Sequence, residues 1–332
     1  MSLFFDFYGV CVKVDCSDRE LLENIRRDFS YFYTDSQAQL AISISVYLES
    51  PDFDKVQFLK ASLYNSDSIA YDDKNIRYVD YQGKALSIYD YRKEEGKIYS
   101  SNRELLHELV YLLILSRVGE LLDKKGIHRI HALGFSIKEN GILCLLPQGA
   151  GKTTLALELL KRDDVKLLSD DTVLINRRGQ FLAFPLRIGV SSDFKLDIPP
   201  QYLRTFKRRK YGQKTLIDIE YFRDKIAGPI KPSILLIGER IFSSRAKIVR
   251  VNKIKAILPL VRDAVIGLGL AQMVEYYLRF DFKDIFSKIC ILLSRLLVSF
   301  KFFLHGQIHR FLIGRDVKKN AEIICRFLNL QE

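Results

Sequence analysis

Residues 141–156 read GILCLLPQGAGKTTLA. Within them, Gly149-Ala150-Gly151-Lys152-Thr153 directly follows an apolar strand-like run and directly precedes a helical one. Strand, glycine-rich turn and helix in that order are what a phosphate-binding loop requires. Glycines let backbone N–H groups curl around phosphate oxygens where a side chain would intrude. The following helix aims its first amides and the positive end of its dipole at the same anion. The candidate contacts are Gln148, Gly149, Ala150, Gly151, Lys152, Thr153 and Thr154. Lys152 is expected to reach the β- and γ-phosphates of ATP, and the Thr153 hydroxyl to sit on Mg2+. The common pattern G-x4-G-K-[ST] would place its first glycine at Leu146, so the loop entrance departs from it.

Two further features could complete such a site. Asp170 and Asp171 stand 18 and 19 residues after Lys152, in the apolar run LLSDDTVLI. Adjacent residues of a strand point to opposite faces. One carboxylate can therefore hold Mg2+ or its water while the other faces an acceptor hydroxyl as general base. His131 lies 21 residues before Lys152, in Ile-His-Ala-Leu-Gly-Phe. By itself such a histidine reads either as a core residue or as a ligand, and His128 competes for any role.

Taken together, Ile130-His131-Ala132, the loop Gly149 to Ala156 and Leu168-Ser169-Asp170-Asp171-Thr172-Val173 resemble the C-terminal kinase domain of HPr kinase/phosphorylase. The narrower likeness is to HPr-kinase-like serine kinases outside sugar-uptake regulation, and it covers about residues 125–190. The resemblance implies a mixed α/β fold: a P-loop, phosphoenolpyruvate carboxykinase-like kinase domain preceded by a small α+β domain. It also implies ATP and Mg2+ as cofactors, with the γ-phosphate passing to a serine of a protein or peptide. On that basis Asp170 is the expected base and Thr153 and Asp171 the expected Mg2+ ligands, or the two aspartates exchange roles, with His131 and Lys152 the groups that steady the transferred phosphate. The alternative from another class is a nucleotide-binding sensor with little turnover.

These residues need elements to hold them. Residues 4–14 and 40–48 read as strands, with further short strands at 69–71, 76–81 and 84–90. A helix begins after Ser17, with Glu20 completing a capping box. Residues 1–100 therefore form a small α+β domain suited to binding a substrate or partner. Residues 102–123 form one long helix, apolar nearly all round and so buried, with Asn102 as its cap. This connecting helix fills 101–126, and the kinase-like domain fills 127–332. There, strands are expected at 132–137, 141–146, 165–175, 180–184, 216–219, 233–238 and 246–250, and helices at 152–161, 260–280 and 317–330.

The net charge is +12, and all of the excess lies after residue 200: residues 201–332 carry 26 Lys+Arg against 11 Asp+Glu. An anionic partner of that region follows, with a solvated lysine-rich surface as the plain alternative. Residues 207–214 (KRRKYGQK) form a basic loop that could meet phosphate or an acidic acceptor. No stacking or base-reading pattern supports nucleic acid. Residues 283–305 make a basic amphipathic helix, with Ile285, Ile289, Leu292, Leu293, Leu296, Phe300 and Phe303 on one face and Lys288, Arg295 and Lys301 on the other half. That face either packs on the kinase core or docks on a membrane surface or a partner helix. Self-association into a homo-oligomer also stays open. The five cysteines have no metal-ligand spacing and read as buried thiols. The first residues read as a strand rather than a signal peptide, so a cytoplasmic location is expected, with peripheral membrane contact through 283–305 as the variant.

Overall fold

Residues 4–14 alternate only in part because the chain turns inside them. In the computed structural model, β1 (Ser2–Asp6) and β2 (Cys11–Cys16) pair antiparallel from Ser2 opposite Asp15 to Asp6 opposite Cys11. Tyr8 and Gly9 take positive φ between them, and Phe7 and Val10 exchange both backbone hydrogen bonds. The single strand expected there is therefore a hairpin. The described residues are 1–36, 39–191, 194, 197–208, 212–267, 276 and 282–329.

The chain divides into two compact units, both discontinuous in sequence. Unit 1 comprises Met1–Leu122, Ser191–Glu220 and Ala271–Asp281, of which last only Tyr276 is described. Unit 2 comprises Asp123–Val190, Tyr221–Leu270 and Phe282–Glu332. These bounds differ from the chain-order segments 1–100, 101–126 and 127–332. Both units mix helices with sheets, so the protein is a mixed α/β chain with several sheets.

Among its described residues, unit 1 carries one nine-stranded sheet. Its strands are β1, β2, β3 (Tyr33–Thr34), β4 (Leu40–Tyr47), β5 (Ala61–Tyr64), β6 (Ile69–Asp73), β7 (Ile76–Asp80), β8 (Leu86–Asp90) and β9 (Glu95–Tyr99), in the spatial order 3-1-2-4-9-8-7-6-5. Helix α1 (Arg19–Asp28) is capped by Asp18, whose carboxylate accepts from Leu21 N–H at 2.8 Å. Asp18, not Ser17, is the cap. Helix α2 (Arg103–Lys124) begins at Asn102, whose side chain accepts from Leu105 N–H at 2.9 Å, as expected. It runs against β8 and β9, where Leu113 meets Gly96. Arg117 of α2 is fully buried but paired with Glu94 at 2.9 Å and Glu120 at 2.6 Å. A buried charge persists only with such partners.

The basic cluster at 207–214 is not a simple loop. Leu203–Arg208 and Gly212–Ile217 pair as an antiparallel hairpin in register from Leu203 opposite Ile217 to Arg208 opposite Gly212. Residues 209–211 of the cluster lie outside the described residues.

Unit 2 contains the loop. Its strands β10 (His128–His131), β11 (Leu133–Ile137), β12 (Asn140–Leu145), β13 (Val165–Ser169), β14 (Thr172–Ile175) and β15 (Phe181–Leu182) divide between two sheets. The larger has six strands among the described residues, in the order β13, β11, β12, Pro232–Arg240, Gln307–Ile313, Lys247–Arg250. β12 runs parallel to Pro232–Arg240, which runs parallel to Gln307–Ile313. The smaller sheet has the order β10, β14, β15. Ile130, Leu143, Leu168, Val173, Phe181, Leu235, Val298 and Phe302 are among the buried side chains that form one core in this unit.

Three expectations in unit 2 change. The run 165–175 is two strands in different sheets, broken at Asp170-Asp171. The helix expected at 260–280 is helical at Ile257–Leu260 and π-helical at Val261–Ile266, then closes at Gly267 in the left-handed conformation. Of its remainder only Tyr276 is described. The helix Phe282–His305 lies the other way round from a core-packing amphipathic helix. Its Ile285, Ile289, Leu292, Leu293, Leu296 and Phe300 are exposed, whereas Ile291, Arg295, Val298, Ser299 and Phe302 are buried. The cause is a polar anchor: Arg295 binds Asp123 bidentately at 3.0 and 2.7 Å. Four cysteines are buried as expected, but Cys290 of this helix is exposed.

Candidate active site

β12 is central in its sheet and buried along Gly141–Leu145, so it delivers the chain rigidly to the loop. Gln148 and Gly149 are exposed at the loop's crest, while Lys152 and Thr153 are half-buried. Gly149 and Gly151 have φ of +74° and +83°. Gly151 caps helix α3 (Lys152–Leu159), and the Thr154 hydroxyl donates to its carbonyl at 2.8 Å. The first amides of α3 have no intrahelical acceptor and are left for an anion. A Cβ on Gly151 would stand 2.9 Å from Thr154 Oγ1. Gly151→Ala therefore combines left-handed strain with a lost side-chain contact. We expect it to cost about 1–2 kcal/mol of stability and to weaken nucleotide binding, measured by urea unfolding and by titration with ATP.

The Asp170–Asp171 turn is built by Ser169, at the end of β13. Its Oγ accepts from Asp171 N–H at 3.3 Å and Thr172 N–H at 3.0 Å. That tight turn sends the two carboxylates apart. Asp170 is nearly buried and accepts from the Thr153 hydroxyl at 3.1 Å. The Asp171 side chain is half exposed and lies 3.4 Å from His131 Nδ1 and 4.0 Å from Lys152 Nζ. Of the two carboxylates, Asp170 is the one that meets the Thr153 hydroxyl.

His131 ends β10, opposite Thr172 in β14. Its Nε2 accepts from Lys152 Nζ at 2.6 Å, so this nitrogen carries no proton in that contact. Its buried Nδ1 has no hydrogen-bond partner and stands 3.4 Å from the Asp171 carboxylate. Burial, reinforced by the Lys152 charge and opposed by Asp171, holds the imidazole below its usual pKa. Lys152 is also lowered, chiefly by burial, with Asp171 acting the other way. Asp170 is pushed up to about 7 by burial, helped by the neighbouring Asp171 charge. Lys152, His131 and Asp170, all with perturbed protonation and gathered at one loop, make this a candidate functional site.

His128 takes no part. It bonds Asp123 at 2.9 Å and Ser294 at 2.8 Å, which leaves His131 as the histidine of the site. Other groups escaped the sequence reading. Arg240 donates to the Gly149 carbonyl at 3.1 Å. Arg262 holds the buried Asp263 bidentately, with both contacts at 2.7 Å, and the pair acts electrostatically on Lys152 and His131. The π-helical turn that carries them is a geometry common at functional sites, but no local pattern announces it.

Among the described residues, no three His, Cys, Asp or Glu side chains gather to cage a metal. Mg2+ does not ask for that, since it binds through one or two carboxylates together with substrate phosphates. The Thr153 hydroxyl and the Asp170 carboxylate are adjacent hard-oxygen donors at the loop, and they fit it.

No family profile matches the chain, and no curated protein sequence does. Among solved structures, the chain is similar to the HPr(Ser) kinase/phosphatase from Coxiella burnetii, at 12% identity and a TM-score of 0.28, over 61% of this chain and 99% of that one.

Proposed function

We propose that the protein transfers the γ-phosphoryl group of ATP to a hydroxyl, most readily a serine of a protein or peptide. One observation carries this reading. Lys152 and Thr153 from α3, His131 from β10, and Asp170 and Asp171 from the β13–β14 turn meet at one glycine-rich loop.

Lys152 and the loop amides hold the β- and γ-phosphates. Thr153 and Asp170 hold Mg2+, which when bound neutralises charge on the phosphate oxygens. Asp171, the more exposed carboxylate, faces the acceptor. It takes the hydroxyl proton as the acceptor oxygen bonds to the γ-phosphorus, while the β–γ bridging bond breaks and ADP leaves with its electrons. His131 stands between Lys152 and Asp171 and holds the Lys152 amine in place. Positioning and charge neutralisation supply most of such a reaction's acceleration. Of the two orders the aspartates could take, this assignment follows the Thr153–Asp170 hydrogen bond.

The two variants separate the roles. Asp171→Asn is expected to lower transfer by about 10²–10⁴-fold while affinity for ATP with Mg2+ stays within a few-fold. Asp170→Asn is expected to abolish the Mg2+-dependent part of nucleotide affinity. Calorimetric titration of both, with and without Mg2+, checks this; the opposite pattern returns the base to Asp170.

A further inference from the structure

The outward face of the helix Phe282–His305 has no role in the chemistry above. Ile285, Phe286, Ile289, Leu292, Leu293, Leu296, Leu297, Phe300 and Leu304 are all 45–66% exposed. At 3.6 residues per turn they fill one arc of about 140°. A monomer ordinarily leaves no more than a few hundred Å² of contiguous apolar surface open. Nine large side chains, each about half exposed on one face, go beyond that.

The patch extends past the helix. Lys253 donates to the carbonyls of Phe303 and Leu304 at 3.3 and 2.8 Å, which ties the 253–258 segment to the helix end. That segment exposes Ile254, Ile257 and Leu258. The rim is basic: Lys253, Lys255 and Lys301 are exposed. Among the described residues of 250–267 and 282–305, the exposed charged side chains are all Arg or Lys: Asp263 is buried under Arg262, and the partly buried Asp284 pairs with Lys288.

Width and charge together choose the occupant. A paired helix needs a narrow seam flanked by complementary charges. This arc is broader than such a seam, and the exposed charges at its edge are cations. No described helix is long and apolar enough to cross a membrane. A broad apolar face with a basic rim instead lies in the interfacial plane, its apolar side chains among acyl chains and its lysines at anionic headgroups.

We infer that unit 2 docks through the exposed face of Phe282–His305, with Ile254, Ile257 and Leu258, on a bilayer surface rich in anionic phospholipid. The inward face is anchored to the core through the Arg295–Asp123 pair, so the apolar face is presented outward without unfolding. The test is co-sedimentation of the full chain with vesicles of phosphatidylcholine alone or with 30% phosphatidylglycerol. The wild type is expected to bind the anionic vesicles. Leu293→Glu with Leu297→Glu, two exposed positions, is expected to lose binding by about tenfold or more with an unchanged melting temperature. Lys255→Gln with Lys301→Gln is expected to weaken it by a similar factor. Wild-type protein that stays in the supernatant overturns the inference, as does a Glu variant that binds equally. A solution dimer that the Glu variant dissociates, with no vesicle binding by the wild type, overturns it in favour of a second copy of the chain.

Discussion

Lys152→Ala is expected to lower phosphoryl transfer by about 10³-fold or more. Lys152 is the one cation that both opens α3 and faces the Asp171 carboxylate. It sits in a half-buried setting where Coulomb interactions are less screened than in water. Removing it leaves the phosphate oxygens without their point charge and His131 Nε2 without its donor. Lys152→Arg is not a remedy, because a planar fork cannot replace a compact ammonium within the 2.6 Å contact to His131. Folding should be little affected, since the lysine's own ionisation is disfavoured by burial. Initial rates of γ-phosphate transfer, set beside melting temperatures, separate loss of chemistry from loss of structure.

Asp170→Asn is expected to stabilise the ligand-free protein at alkaline pH while it removes function. Asp170 has its pKa raised from 3.8 to about 7, first by burial and then by the Asp171 charge. A carboxyl raised in the folded state binds its proton more tightly there than in the unfolded chain. Stability therefore falls as pH rises from about 4 to 7, and the whole penalty stands above 7. Its size is on the order of 4 kcal/mol as an upper bound. Asparagine keeps the shape, can still accept from Thr153, and carries no charge to bury. Urea unfolding at pH 4, 7 and 8.5 is expected to show the variant's advantage over the wild type smallest at the lowest pH and largest at the highest. A variant less stable than the wild type at pH 8.5 contradicts this account of Asp170. A buried carboxylate that costs stability without its ligand is what a site built to meet a cation looks like.

Much of the site was legible because its signals are local. The loop needs glycines at fixed spacing, a strand before and a helix after, and all of these lie within 16 residues. The strand and helix around it formed within a residue or two of expectation. The Asp170–Asp171 turn was less legible. Apolar residues on both sides made 165–175 read as one strand, and only the Ser169 hydroxyl, accepting two backbone amides, creates the break. Which carboxylate meets Thr153 follows from that turn and not from strand alternation. The C-terminal helix shows the limit most clearly. Periodicity found both of its faces but not which one packs inward. That is decided by Asp123, 172 residues away from Arg295, together with His128 bonded to Ser294. An ion pair at such separation leaves no trace in a local pattern. The Arg262–Asp263 pair was missed because a π-helical turn has no sequence signature comparable to a glycine-rich loop.

The net positive charge also gains a place. Part of it rims the apolar face of unit 2, and part lies at the hairpin end of Leu203–Arg208 and Gly212–Ile217 in unit 1. The first is the cationic edge that an anionic bilayer would meet. The salt dependence of vesicle binding should follow it, with weakening as ionic strength rises past the point where the screening length drops below about 8 Å.

The central claim is that this loop moves a phosphoryl group rather than merely sensing nucleotide. The most direct measurement incubates the purified full chain with γ-labelled ATP, Mg2+ and an extract of the cells that make it, and looks for label bound to protein or peptide. A labelled acceptor is expected, its label stable as a serine or threonine phosphate, present with the wild type and absent with Lys152→Ala. Saturable ATP binding by the wild type, with no label above the Lys152→Ala control, would contradict it and leave the protein a nucleotide sensor.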